Sequence, residues 1–166
     1  MILGLSLQTF TLLHVAISLI AIVSGLVVLI GMLGAQRLPG WTALFLATTV
    51  LTSVTGFLFP IKGFTPALGT GIVSIVILAV ALLAVYGKRL SGAWRAIYVA
   101  SAVTALYFNV LVLIVQAFLK VPALHALAPA GSEPPFLIAQ GAALVLFVIL
   151  GVAAGLRFHP KPALSY

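Results

Sequence analysis

The chain has no cysteine and no aspartate, and Glu133 is its one acidic side chain. Without thiols there is no disulfide, no thiolate metal site and no iron–sulfur cluster. Without aspartate there is no Ser–His–Asp relay. A single carboxylate leaves no acid–base pair and no carboxylate-rich metal site. No acid falls within an apolar run either, so proton-coupled transport through a buried carboxylate has no candidate. No glycine loop of the nucleotide-binding kind appears. The sequence therefore offers no catalytic residue and no metal site, and nothing in it argues for an enzyme.

What is present is hydrocarbon. Hydrophobic residues make up 64% of the 166 positions and charged residues 5%, with a mean hydropathy of +1.37. Such a chain cannot stay dissolved as a globule. Crossing about 30 Å of bilayer core takes about 20 helical residues. Five stretches meet that length: Gln8–Leu33, Trp41–Phe59, Ala67–Tyr86, Ala93–Leu119 and Phe136–Phe158. They are continuously apolar rather than alternating, which selects helices over a transmembrane barrel. The connections are short. The expectation is an all-α, polytopic membrane protein, with residues 1–166 forming one five-helix transmembrane domain. The first stretch lacks a basic flank and a small-residue cleavage site, so it is expected to be a retained helix rather than a cleaved leader.

The net charge of +7 invites a nucleic-acid reading, but the placement of the charges argues against it. If the helices alternate in direction, Arg37, Lys88, Arg89, Arg95, Arg157 and Lys161 fall at one membrane face. Lys62, Lys120 and Glu133 fall at the other. The positive-inside rule makes the first face cytoplasmic, which puts the N-terminus outside and the C-terminus in the cytoplasm. The basic residues then orient the chain and meet anionic lipid. Trp41 and Trp94 begin their helices at the same face, where amphipathic rings settle.

The connectors carry turn residues. Pro39-Gly40 closes the first, Pro60 to Pro66 forms the second, and Gly87 to Gly92 the third. The longest, Lys120 to Pro135, is too apolar around Val121–Pro129 for a solvated loop. It is expected to lie on the membrane surface or fold over the helix ends. Ser132 is the expected cap of the last helix, with Glu133 at its positive end and proline in its first turn. Gly151 and Gly155 have GxxxG spacing, which suits close packing within the bundle or a homodimer face.

Polar residues inside apolar helices are the informative exceptions. Tyr98, Asn109 and Gln116 point within about 20° of one direction on the fourth helix. His14 lies near the outer end of the first helix and Gln140 near the outer start of the fifth. His125 and Glu133 belong to the outer loop. This clustering by depth predicts a ligand pocket in the outer half, built by His14, Tyr107, Asn109, Gln116 and Gln140. The bland alternative is a hydrogen-bond network that ties helices together. Thr48, Thr52 and Thr55 share a face of the second helix and are candidates for a polar path. Hydroxyls in such helices usually bond back to their own carbonyls. A b-type haem would need histidines from facing helices at matched depth. His14 and His125 share a side, but His125 is in a loop, and His159 is at the opposite face.

The segments Ala105–Leu124, Ser132–Phe136 and Thr52–Phe57 resemble those of a group of small, uncharacterised bacterial inner-membrane proteins. The resemblance implies a five-helix fold in a bacterial cytoplasmic membrane and brings no activity with it. The leading expectation is a protein that binds a small amphipathic or lipid-like molecule, a quinone being one example. The alternatives are a small oligomeric transporter or channel and an accessory subunit of a larger membrane complex.

Overall fold

Ser6 opens the first helix, α1 (Leu7–Leu33), by accepting a hydrogen bond from the Thr9 N–H at 3.1 Å. The computed structural model describes residues 2–60, 63 and 66–159. The expected outer charge Lys62 and the expected inner charge Lys161 lie outside them. α1 ends in a paired-bond stop. Gln36 N–H donates to Gly31 C=O at 2.8 Å and Ala35 N–H to Met32 C=O at 3.1 Å. Ala35 sits in the left-handed region (φ 54) that this stop requires and that glycine fills more cheaply.

α2 (Pro39–Phe57) starts two residues before the expected Trp41 and ends two before Phe59. Pro39 is helical rather than part of the turn. Its missing N–H costs nothing in a first turn, where that donor would be unpaired anyway. α3 (Pro66–Leu82) runs on through a π turn, Leu83–Gly87. Gly87 permits this, because a Cβ there would lie 2.7 Å from Leu83 Cδ1. α4 (Trp94–Lys120) is the second 27-residue helix.

The 120–135 segment is not an irregular loop throughout. It contains a short helix, α5 (Pro122–Leu127), none of whose residues is buried. α6 (Pro134–Arg157) is capped by Glu133 rather than Ser132 in position, and no side chain bonds its first turn. Pro134 and Pro135 present no N–H to cap. The Glu133 carboxylate turns back instead and accepts from Ala130 N–H at 2.8 Å and Ser132 N–H at 2.9 Å.

Among the described residues, five helices are long and apolar enough to cross a membrane: α1, α2, α3 with its π turn, α4 and α6. They form a helical bundle around α4. Neighbours pack in the order α3, α2, α1, α6, and α4 touches every one of them. Among the described residues no comparable packing joins α3 to α6. The core lies where α4 meets the others, among Met32, Phe45, Leu46, Leu78, Val99 and Leu106. Gly25 permits a close approach of α1 to α2 and α4. A Cβ at that position would lie 2.6 Å from Leu106 Cδ1 and 2.8 Å from the Phe45 ring. α6 is the outermost helix and leaves Ile138, Val145, Ile149 and Leu156 exposed. Of its glycine pair, Gly151 packs on Val103 and Gly155 meets nothing.

The bundle has two unlike ends. Arg37, Lys88, Arg89, Arg95 and Arg157 mark one, called the basic end below. The α5 segment and Glu133 mark the other, the loop end.

Candidate functional site

The polar residues of the loop half are distributed over three separate helix contacts. His14 Nδ1 is 2.7 Å from Thr55 Oγ1, joining α1 to α2. Thr55 has one proton, and its hydroxyl donates to Leu51 C=O at 2.7 Å. That leaves the His14 Nδ1–H as the donor of the pair. The Phe59 ring stands edge-on to the imidazole, with centroids 5.2 Å apart. Asn109 donates to Thr49 Oγ1 at 3.2 Å, joining α4 to α2. Gln140 Nε2 donates to Leu111 C=O at 3.2 Å, joining α6 to α4.

Tyr107 stacks at a tilt on Phe108 and Phe147, each 5.8 Å away between centroids. Gln116 is exposed and makes no hydrogen bond among the described residues. His125 donates from Nδ1 to Phe118 C=O at 3.3 Å, which pins α5 to the end of α4. Two backbone N–H donors, chiefly that of Ala130, hold the Glu133 carboxyl below its usual range. The α2 hydroxyls follow the usual pattern for membrane helices. Thr48 donates to Leu44 C=O at 2.6 Å and Thr55 to Leu51 C=O. Thr52 Oγ1 and Gln140 Oε1 are buried and have no hydrogen-bond partner among the described residues. No group of three or more metal-ligating side chains comes together among the described residues.

None of these polar side chains lines either of two hollows in the bundle. One is apolar, about 240 Å³, between α1 and α2 beside Leu19, Val23, Trp41 and Leu44. The other opens at the basic end and measures about 220 Å³, the liquid volume of about seven waters. α1 contributes Val28 and Met32 to it. The α1–α2 corner contributes Gln36, Arg37 and Leu38, and α2 adds Thr42. The end of α3 contributes Val85 and Tyr86, followed by Arg89 and Leu90. Tyr98 of α4 and Phe158 after α6 complete the wall.

Several local features aim these groups. The α1 stop folds Leu38 down onto Gly31, whose absent Cβ would lie 2.6 Å from Leu38 Cδ1. The π turn, closed by Lys88 N–H to Leu83 C=O at 2.8 Å, is followed by left-handed Arg89 (φ 49) and Leu90 (φ 60). Left-handed non-glycine residues cost about 1 kcal/mol or more each. Here they turn the chain back so that Leu90 N–H reaches Ala84 C=O at 2.9 Å. Arg95 donates to Phe158 C=O, a cation on the carboxyl end of α6, and holds the Phe158 ring beside Tyr98. Lys88 lies over the Trp94 ring, 5.6 Å from its centroid.

The cavity is graded from floor to mouth. At the floor Tyr98, Phe158 and Thr42 are buried. The Tyr98 and Thr42 hydroxyls are 3.4 Å apart, a long bond that leaves both with unused capacity. At the mouth Gln36, Arg37, Tyr86 and Arg89 are exposed. Apolar walls with a few convergent polar groups are what a small-molecule site offers. Of this set the sequence had marked only Tyr98 as inward-facing. Arg37 and Arg89 had been read as orienting charge, and Thr42 carried no signal.

No protein-family model, curated protein or solved structure matches the chain.

Proposed function

We propose that this chain is a multi-pass protein of a bacterial cytoplasmic membrane, N-terminus outside, that binds a small amphipathic, lipid-like molecule. The cavity at the basic end is its binding site. The observation that carries this reading is the pairing of buried, under-used Tyr98 and Thr42 hydroxyls with apolar walls, in a volume open at the mouth. The hydroxyls offer hydrogen bonds to a head group or to a quinone carbonyl. Val28, Met32, Leu38 and Val85 face the apolar part of the ligand. The test is mass spectrometry of molecules that copurify with the protein from native membranes. Tyr98→Phe and Thr42→Val should each lower occupancy several-fold while the protein still folds. Unchanged occupancy in both variants would remove the cavity from consideration.

A second reading keeps the site in the loop half, with His14, Tyr107, Asn109, Gln116 and Gln140 as its contacts. It rests on Gln140 Oε1, buried without a partner. Gln140→Leu would then lower occupancy and the two cavity variants would not.

A further inference from the structure

Resting on the cavity reading above, we infer that the ligand's head group is a net-anionic phosphate, held between two connectors by Arg37 and Arg89. Arg37 belongs to the α1–α2 corner and Arg89 to the α3–α4 connection, yet both line one mouth. Neither guanidinium has a hydrogen-bond or ion-pair partner among the described residues. The protein has no acidic side chain to give them, because Glu133, its single acid, is at the loop end.

Two other cations at the basic end are already engaged, Arg95 on Phe158 C=O and Lys88 on the Trp94 ring. Helix ends do not set the sign of the site. The amino ends of α2 and α4 and the carboxyl ends of α1, α3 and α6 abut it; Arg95 already sits on that of α6, and the partial charges of the other four offset. The side chains decide, and they supply two cations and no anion. A guanidinium presents a planar fork of donors that suits phosphate oxygens two at a time. Gln36 and Tyr86 stand at the same mouth with an amide and a phenol for the remaining oxygens. The chemistry is that of a phosphate carrying net negative charge, from a lipid head group or from free phosphate.

Arg157 provides the control. It is exposed at the same end, carries the same charge, has no partner among the described residues and does not line the cavity. The experiment is native mass spectrometry of the full chain released from nanodiscs of phosphatidylglycerol or of zwitterionic phosphatidylcholine, with and without inorganic phosphate. Phosphatidylglycerol should be retained over phosphatidylcholine. Arg37→Gln and Arg89→Gln should each lower that retention about ten-fold, the loss of one charge-assisted hydrogen bond. Arg157→Gln should leave it unchanged. Retention that resists inorganic phosphate makes the lipid the source, and displacement by it makes free phosphate the source. Either result supports an anion site.

An equal loss in all three arginine variants would mean diffuse attraction of the whole basic face and overturn the inference. So would equal retention of the two lipids. If Tyr98→Phe and Thr42→Val lower occupancy of both lipids alike, the cavity stands as a binding site and only its preference for an anion falls.

Discussion

The loop half and the basic end hold similar polar chemistry and use it differently. In the loop half, His14 faces Thr55, Asn109 faces Thr49 and Gln140 faces a carbonyl of α4. Each pair closes a contact between two helices. At the basic end, Thr42, Tyr98, Arg37 and Arg89 face a shared volume. A polar group in a membrane helix must find a partner because lipid offers none. Whether the partner is another helix or a ligand depends on whether space has been left beside it. Counting polar residues by depth therefore finds ties as readily as sites.

The frame common to both regions is the strongest place to strike. Gly25→Val puts methyl groups into Leu106 and the Phe45 ring, where a Cβ alone is already within 3 Å. Overpacking of this kind costs about 3 kcal/mol. Unfolding by detergent titration should show that loss, with the ties and the cavity failing together. If ligand occupancy survived while the loop half loosened, the two regions would be independent units.

Asn109→Leu separates them. An interhelical hydrogen bond in a membrane protein contributes about 0.6 kcal/mol, so stability should fall by about that amount with ligand occupancy unchanged. A several-fold drop in occupancy would move the site to the loop half. Ala35→Gly acts in the opposite sense at the basic end. Glycine relieves the left-handed position, and its looser unfolded chain takes some of the gain back. A stabilisation of about 0.5 kcal/mol in the same titration is expected, with the cavity intact.

The smallest effect concerns Glu133. Its folded carboxyl titrates below the ordinary value of 4.5 because the Ala130 and Ser132 amides favour the charged form. The stabilisation is therefore present above that value and is lost as pH falls through the folded pKa. Melting midpoints of wild type and Glu133→Gln should differ slightly at neutral pH and converge in acid. A difference that persisted in acid would assign the effect to something other than charge.

The five apolar runs were legible because hydrocarbon thickness and helix rise leave little freedom. All five helices appear within two residues of the expected bounds. The inward face of α4 was legible at Tyr98 and Asn109, where phase alone selects the bundle side. The cavity was not. Its mouth depends on the left-handed Ala35, Arg89 and Leu90 and on the π turn at 83–87. Hydropathy and charge counts carry no information about those backbone angles. The cap of α6 was misplaced for a local reason, since two prolines removed the donors that Ser132 would have bonded.

The π turn also makes the site sensitive to how the chain is wound rather than to composition. It spends one residue more than an α-helical turn, and each residue advances the helix by about 100°. Winding the same residues as plain α-helix would leave hydropathy and charge unaltered. Everything that follows would then be rotated by nearly a third of a turn, and Arg89 would no longer meet Arg37 across the mouth. In this protein the facing of two arginines is set by how many residues one turn holds.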